Sequence, residues 1–254
     1  MLKKRIIPTL LWKDHSLVKS KKYENWRQVG HLVPAVKVYN SRNVDEIIFL
    51  DISDPGGNQI PDYNLVDEVA THCFVPLTIG GNIKTLHDVQ NIIERGADKI
   101  CLNSVLETKV EIIKEISKNF GSQAVVVSVD FKKQDNDYYH YFKGGRKRSS
   151  ENIFDYIKKV EDLGAGEIIL NSIDNDGMMC GYNLDMLNKI VKISNLPIII
   201  SGGAGEYSHM KDAINHGASA VSAASIFHFT EKTPEEAKNY LKNFDIPVRK
   251  STKI

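Results

Sequence analysis

An internal repeat constrains the fold of this chain more than any other feature. The segment 76–81 reads Pro-Leu-Thr-Ile-Gly-Gly, and the segment 197–203 reads Pro-Ile-Ile-Ile-Ser-Gly-Gly. Glu46 opens a Glu-Ile-Ile run that returns at Glu167, and both pairs of segments share one offset, since 197 − 76 = 121 and 167 − 46 = 121. A period close to half of the 254 residues indicates two similar half-units, each of which needs the other to bury its apolar face.

Short β-branched runs alternate with longer amphipathic segments along the whole chain. Eight runs have the length and composition of buried strands: 5–10, 46–51, 77–80, 99–102, 124–130, 167–171, 198–201 and 220–223. Helical patterns lie between them at 86–95, 110–119, 153–163, 184–193 and 207–216. Eight strand–helix units predict a single α/β domain over 1–254, a (β/α)8 TIM barrel. We place the half-barrels at about 1–120 and 121–245, followed by a short tail. An open doubly wound sheet is the alternative, but no GxGxxG follows the first strand.

Composition excludes several classes of protein. A formal net charge of +1 gives no overall field that would attract nucleic acid or an anionic membrane. The three cysteines have no paired spacing, which favours a reducing compartment over a disulfide framework or a zinc site. No segment approaches the roughly 20 apolar residues of a membrane span, and no signal peptide precedes the first strand. We therefore expect a cytoplasmic protein without a metal or an organic cofactor.

Glycine-rich loops follow the predicted strands in both halves. Barrel enzymes place their active sites at the carboxyl ends of the strands, where a backbone without side chains can approach an anion. The candidate phosphate-binding residues are Gly80, Gly81, Asn82, Asn103 and Ser104 in the first half, and Gly202, Gly203, Ala224 and Ser225 in the second. A Gly-Gly pair alone is usually a turn. Because the pair recurs in matching positions, we predict one phosphate site per half and a small substrate phosphorylated at both ends.

Carboxylates end several strands on the same predicted face. Asp130 follows an apolar run and lies between the two glycine-rich loops, so we predict a general acid or base there. A helix cap is the structural alternative. Asp51 and the turn that contains Asp176 and Gly177 are further candidates for contact with substrate, and Asn171 ends the neighbouring strand.

Two groups of charged residues have both an ordinary and a functional interpretation. Basic residues that begin at Lys19 form either a solvated loop or a loop that grips phosphate. Four charged residues sit at strand beginnings, namely Arg5, Glu46, Lys99 and Glu167. If they point inward they form a ring of two cations and two anions at the bottom of the barrel, a costly arrangement that suggests a function. If they point outward they are surface charges.

From residue 5 to residue 229 the chain resembles the cyclase subunit of imidazole glycerol phosphate synthase. The resemblance rests on seven segments: Phe-Leu-Asp at 49–51, Gly-Gly at 80–81, Arg-Gly-Ala-Asp-Lys at 95–99, Phe-Gly-Ser-Gln-Ala-Val-Val-Val at 120–127, Gly-Ala-Gly-Glu-Ile at 164–168, Ser-Ile-Asp-Asn-Asp-Gly at 172–177, and Ser-Gly-Gly-Ala-Gly at 201–205.

The resemblance implies a bisphosphorylated aminoimidazole carboxamide nucleotide as substrate and a glutaminase subunit docked at the bottom of the barrel, which sends ammonia through it. The four charged strand-start residues then match the ammonia gate, and Asp98 and Gln123 match the glutaminase dock. Gly81, Asn103, Gly203 and Ser225 match the phosphate sites.

One position breaks the family pattern. The family uses two aspartates, at the ends of strands one and five, as acid and base. Asp130 matches the second, but Leu11 occupies the first, and leucine cannot transfer a proton. Losing such a group typically costs about 10²–10⁴-fold in rate. Further departures are His15, Ser20, Asn82, Asn171 and the segment 178–180.

Retained ammonia delivery beside a remodelled cyclase site resembles a diverged branch associated with surface-glycan genes, in which the barrel and its glutaminase supply ammonia to a separate sugar amidotransferase. Our leading hypothesis is therefore a subunit of a glutamine-dependent amidotransferase complex with weakened cyclase activity. One alternative is a genuine cyclase and lyase of histidine biosynthesis that tolerates Leu11 by using Asp14 or Asp51. The other is a noncatalytic scaffold that activates the glutaminase.

Overall fold

Eight parallel strands close into a barrel in the computed structural model, which describes residues 2–54, 56 and 59–250. The strands of the described residues are β1 (Arg5–Lys13), β2 (Ser16–Lys21), β3 (Glu24–Gly30), β4 (Ile47–Asp51), β5 (Leu77–Gly80), β6 (Lys99–Leu102), β7 (Val125–Gln134), β8 (Asp137–Phe142), β9 (Lys147–Arg148), β10 (Glu167–Ser172), β11 (Ile198–Ser201) and β12 (Ala220–Ala223). The barrel runs β1-β4-β5-β6-β7-β10-β11-β12 and closes where β12 pairs with β1. The predicted (β/α)8 barrel is confirmed, and all eight predicted runs are barrel strands.

Helices cover the outside of the barrel. They are α1 (Leu32–Ser41), α2 (Tyr63–His72), α3 (Leu86–Glu94), α4 (Ile112–Phe120), α5 (Ile153–Asp162), α6 (Leu184–Ile190), α7 (Tyr207–Asn215), α8 (Ser225–Phe229) and α9 (Pro234–Lys242). Local chemistry sets their ends. Thr85 and Asp88 form a capping box at the start of α3, and Gly96, with φ of 108°, follows its last turn. The described part of the chain has no helix that is both long and apolar enough to cross a bilayer.

Two apolar layers pack on opposite sides of the barrel wall. The larger one lies between the strands and the helices, where residues such as Phe49, Ile92 and Val127 are almost fully buried. The smaller one fills the barrel itself with side chains that face the axis: Ile7, Ile48, Cys101, Val126, Ile169, Ile199 and Ala220. The alternation along each strand therefore separates an outer core from an inner plug.

Hairpins extend the first strand of each half beyond the barrel rim. After β1, strands β2 and β3 form antiparallel ladders, with two-residue turns at Asp14-His15 and Lys22-Tyr23. All four turn residues have positive φ, as a tight hairpin turn requires. After β7, strands β8 and β9 repeat the arrangement. The predicted runs 5–10 and 124–130 cover only the barrel part of β1 and β7, which continue to Lys13 and Gln134.

A buried ionic cluster joins the end of the chain to its beginning. Lys238 of α9 is fully buried and donates to Asp45 Oδ1 at 2.6 Å, just before β4. Arg249 donates to the same oxygen at 3.1 Å, and the backbone N–H of Ile6 donates to Asp45 Oδ2 at 2.9 Å. Burial lowers the pKa of Lys238, and the hydrogen bond with Asp45 opposes that effect. These contacts therefore hold α9 against the barrel beside the β1–β4 strand pair.

Candidate active site at the barrel mouth

A cavity of about 460 Å³ lies at the carboxyl ends of the strands. The predicted site residues that line it are Leu11, Lys19, Asp51, Gly81, Asn82, Asn103, Ser104, Asp130, Asn171, Asp176, Gly177, Gly202, Gly203, Ala224 and Ser225. The volume suits a small organic molecule. Residues from both halves therefore share one chamber.

The two glycine-rich loops occupy equivalent places on either side of this chamber. Gly81 and Gly202 are repeat mates, and both have a positive φ, of 118° and 84°. A Cβ at Gly81 would lie 2.3 Å from the carbonyl oxygen of Asp51, and one at Gly202 would lie 2.5 Å from that of Ser172. Only glycine fits both conformations, so each loop exposes backbone where an anion could approach.

Gly80 is the exception among the predicted phosphate-site residues, because it does not line the cavity. It is buried at the end of β5, where a Cβ would lie 2.7 Å from Cδ2 of Leu50 and 2.9 Å from Cβ of Cys101. A contact between Gly80 and substrate therefore stays a prediction, and the structure gives this glycine a packing role. Its missing side chain makes room for packing inside the barrel.

Asp130 is buried in the chamber and accepts several hydrogen bonds. Tyr23 Oη donates to Oδ1 at 3.0 Å, Ser128 Oγ at 3.2 Å and Asn171 Nδ2 at 3.4 Å, while Asn103 Nδ2 lies 3.5 Å from Oδ2. Burial raises the pKa of Asp130 to about 6, helped by the charge of Asp176 and opposed by these donors. A carboxyl group that titrates near neutral pH can both take and return a proton, as an acid–base group must.

A second acid and a lysine lie beside it. Burial raises the pKa of Asp176 to about 6 and lowers that of Lys19 to about 8, and each group's charge opposes the shift of the other. Lys19 is buried, with Nζ donating to the carbonyl of Thr9 at 2.7 Å. Of the two interpretations of the basic run, the structure places Lys19 inside the chamber and leaves Lys21 and Lys22 exposed.

The tip of β1 is apolar. Leu11 lines the cavity, and its backbone pairs with that of Leu50 on β4. Asp14 cannot replace the missing carboxylate, because it lies in the β1–β2 turn with its side chain 77% exposed, 3.9 Å from Lys13. Asp51 reaches the cavity, but it accepts from the N–H of Ser53 at 2.9 Å and from Asn82 Nδ2 at 3.2 Å.

Nothing in the sequence indicated Tyr23, an aromatic residue that the β2–β3 turn places in the chamber. Asn171 Nδ2 donates to its hydroxyl, which in turn donates to Asp130, and burial raises its pKa well above the usual range. Its neighbours in the cavity wall include Trp26. The basic run that starts at Lys19 marked the hairpin, but an aromatic residue at a hairpin tip carries no known turn signal.

At the opposite end of the barrel the four charged residues point inward and contact one another. Arg5 donates to Glu46 at 2.8 Å and also to Glu167, and Lys99 lies 3.0 Å from each glutamate. Thr78 Oγ1 donates to Glu46 at 2.7 Å. Both glutamates are buried, while Arg5 and Lys99 remain partly accessible. Of the two arrangements left open by the sequence, the structure has the ring.

The two residues matched to a docking surface are exposed close to strand beginnings. Asp98 precedes β6 and accepts from the N–H of Leu77 at 2.8 Å. Gln123 precedes β7 and donates to the carbonyl of Phe120 at 3.0 Å. Both lie toward the ring end of the barrel, and their role in docking stays a prediction.

Comparison with known proteins agrees with this geometry. The family model described as histidine biosynthesis protein matches residues 5–233. The chain belongs to this family. The histidine biosynthesis family match spans every barrel strand and both ends of the barrel described above.

Individual relatives of the family are similar over almost the whole chain. The imidazole glycerol phosphate synthase subunit HisF of Campylobacter concisus is 44% identical over 97% of this chain and 98% of its own length. The protein of the same name from Streptococcus mutans is 40% identical over 98% and 100%. A putative subunit named hisF2 from Campylobacter jejuni is 41% identical over 98% and 99%. Within the histidine biosynthesis family this chain is a HisF-like barrel.

Proposed function

We propose that this barrel conducts ammonia from a glutaminase subunit docked at its ring end and supports amidation of a surface-glycan sugar. In this function the chain is one subunit of a glutamine-dependent amidotransferase complex, with cyclase activity of its own weakened or lost. The observation that carries the proposal is the contrast between a complete charged ring at one end and Leu11 at the other.

The ring supports ammonia passage by its position and its balanced charge. Two cations and two buried glutamates close the bottom of the barrel, and above them lie small and apolar side chains such as Ala220 and Cys101. A buried ion pair is a weak source of stability, so a fully paired ring in the barrel floor is better explained by a role in gating. Uncharged ammonia crosses an apolar layer at lower cost than ammonium does.

The mouth supports the loss of cyclase activity. The cyclase reaction needs one group that takes a proton and another that gives one. The cavity has Asp130 on one wall, but Leu11 on the other. Asp14 is directed to solvent, and Asp51 accepts hydrogen bonds from Ser53 and Asn82. We therefore expect slow conversion of the bisphosphorylated nucleotide.

The proposal is tested by supplying the purified barrel with ammonia and that nucleotide and following the imidazole product. We expect turnover about 10²–10⁴-fold below that of a family member with both aspartates. Turnover equal to such a member would overturn the proposal. In the complex with its glutaminase, Lys99→Met should uncouple glutamine hydrolysis from ammonia delivery, while the exposed Glu68→Gln should not. If Lys99→Met leaves delivery unchanged, the barrel is a scaffold that only activates the glutaminase.

A second candidate is a genuine cyclase of histidine biosynthesis. It is favoured by the shared cavity that joins both glycine-rich loops, and by the names of the relatives. Expression of this chain in a strain that lacks its own cyclase subunit separates the candidates. Growth without histidine supports the cyclase, and no growth despite soluble protein supports the amidation function.

A further inference from the structure

The β2–β3 hairpin crosses the barrel mouth and is held there by contacts with the second half. The N–H of Lys22 donates to the carbonyl of Asp176 at 2.9 Å, and Ser20 Oγ donates to Asp176 Oδ2 at 3.3 Å. A Cβ at Gly177 would lie only 2.0 Å from the carbonyl oxygen of Ser20, so glycine there permits the close approach. In this structure the hairpin therefore lies against the strand ends and does not project freely.

Tyr23 occupies the tip of this hairpin in a conformation that aromatic residues rarely adopt. Its φ is 64°, and that of Lys22 is 53°. Left-handed backbone at a bulky residue is strained and persists only when surrounding contacts hold it. Here the contacts are the Tyr23–Asp130 hydrogen bond, the donation from Asn171 and the approach of Gly145, whose added Cβ would lie 3.2 Å from the Tyr23 ring.

We propose that Tyr23 is a positioning residue which couples closure of the hairpin to the protonation of Asp130. With the hairpin closed, the Tyr23 hydroxyl donates to Oδ1 and fixes the orientation of that carboxylate in the chamber. The inference goes beyond the proposed function, since it concerns the lid and its carboxylate whatever the acceptor of ammonia is.

The direction of the coupling follows from the chemistry of the donor. A neutral phenol donates a stronger hydrogen bond to a carboxylate than to a carboxylic acid, so the Tyr23 contact made on closure favours ionised Asp130 and opposes the effect of burial. By linkage, ionisation of Asp130 must favour closure by the same free energy. Burial raises the pKa of Asp130 to about 6, so the β2–β3 hairpin should respond to pH in the range in which this acid titrates.

Other ionisable groups face Asp130 and enter the test. Asp176 follows β10, Cys101 lies on β6 and Tyr156 on α5. Lys19, on the hairpin itself, acts on Asp176. Of these groups, Asp176 can mimic the proposed effect, because it also contacts the hairpin through Ser20 and titrates at about 6. The two contributions have to be separated by variants.

The direct measurement is the pKa of Asp130, followed by carbon NMR of its labelled carboxyl group. We expect Tyr23→Phe, which keeps the ring and removes the hydroxyl, to raise this pKa by roughly one unit. Tyr139→Phe is the matched control, because Tyr139 lies on the equivalent hairpin of the second half and stacks on Arg148. An unchanged pKa in Tyr23→Phe would overturn the proposal.

The reciprocal measurement is hydrogen exchange of the backbone amides at 16–30, corrected for intrinsic rates. We expect protection to rise up to about tenfold between about pH 5 and about pH 7.5. Ser20→Ala should retain a rise and Tyr23→Phe should lose its larger part, while amides at 125–129 stay equally protected in all variants. If the rise in protection survives in Tyr23→Phe and disappears in Ser20→Ala, the coupling belongs to Asp176 and the proposal for Tyr23 is contradicted. Neither measurement depends on ammonia delivery, so the proposed function can fail without affecting this result.

Discussion

The first strands of the two half-barrels have the same extension and different chemistry. Both β1 and β7 continue past the rim into antiparallel hairpins, and both direct a side chain from the rim into the common cavity. On β7 that side chain is Asp130, and on β1 it is Leu11. At the bottom the repeat mates Glu46 and Glu167 have kept the same partners. The duplicated fold is thus similar at the bottom, where both glutamates pair with both cations, and different at the mouth, where β7 supplies a carboxylate and β1 a leucine.

The two hairpins also differ in the groups that they contact at the barrel mouth. The first hairpin crosses to the second half and bonds with Asp130 and Asp176 through Tyr23 and Ser20. The second hairpin packs partly on its own half, where His140 stacks on Tyr156 of α5 with ring centroids 4.1 Å apart, and its Lys143 and Lys147 pair with Glu107 of the first half. The first half therefore supplies the β2–β3 hairpin that covers the mouth, and the second half supplies Asp130 beneath it.

The largest expected effect comes from placing an aspartate at the tip of β1, to match Asp130 at the tip of β7. Leu11→Asp should increase ammonia-dependent turnover of the bisphosphorylated nucleotide by about 10²–10⁴-fold, because it restores a second proton-transferring group opposite Asp130. Steady-state kinetics measures the change. Leu50→Asp places a carboxylate in the same cavity from β4 and should give no such gain. If both variants gain equally, the position of Leu11 has no special meaning.

The next effect tests the symmetry of the bottom ring. Glu46→Gln and Glu167→Gln each leave two cations facing one anion, so each should lower the free energy of unfolding by about 3 kcal/mol or somewhat less, since Arg5 and Lys99 are partly exposed. Urea denaturation measures this loss. The exposed Glu68→Gln should change stability by less than about 0.5 kcal/mol. A loss at only one of the two glutamates would contradict the symmetry.

Removing the carboxylate at the mouth should have the opposite sign. The folded pKa of Asp130 is about 6, above its unfolded value, so folding binds a proton between these values and ionised Asp130 destabilises the fold above about pH 6. Asp130→Asn should therefore raise stability by about 2 kcal/mol at neutral pH. The gain should fade near about pH 4. The exposed Asp137→Asn serves as the control, and equal stability curves for Asp130→Asn and wild type would contradict the prediction.

The smallest effect concerns the paired glycines. Gly81→Ala and Gly202→Ala both place a Cβ against a carbonyl oxygen at positive φ, so each should cost about 1–3 kcal/mol and weaken binding of inorganic phosphate. Calorimetry reports both quantities. Gly30→Ala has a φ of 148° and open space, so it isolates the backbone contribution. Phosphate binding that survives in both variants would show that these loops are turns only.

Much of this architecture could be predicted because it follows from periodic patterns. The repeat offset and the apolar runs predicted the eight barrel strands, and the glycines predicted where the loops approach the cavity. The alternation of inward and outward residues could not decide whether the ring of Arg5 and its partners faced the axis, since one-residue register shifts reverse that answer.

The remainder depended on tertiary contacts that leave no local pattern. Gly80 resembled its neighbour Gly81, yet it serves packing against Cys101. Tyr23 lies 107 residues from Asp130, and only the folded hairpin brings the two together. Asp14 lies three residues after Leu11 in the sequence, but the turn that contains it directs its side chain to solvent.

The buried cluster around Asp45 has a consequence for the order of events during synthesis. Asp45 emerges early from the ribosome, while its cations Lys238 and Arg249 follow 193 and 204 residues later. Burying a carboxylate without its cations costs several kcal/mol, on the order of the loss of one buried ion-pair partner. We therefore expect the region between β1 and β4 to stay hydrated until α9 has packed against it. The first half on its own thus lacks the two cations that compensate the carboxylate of Asp45, and both reach it only from the end of the chain.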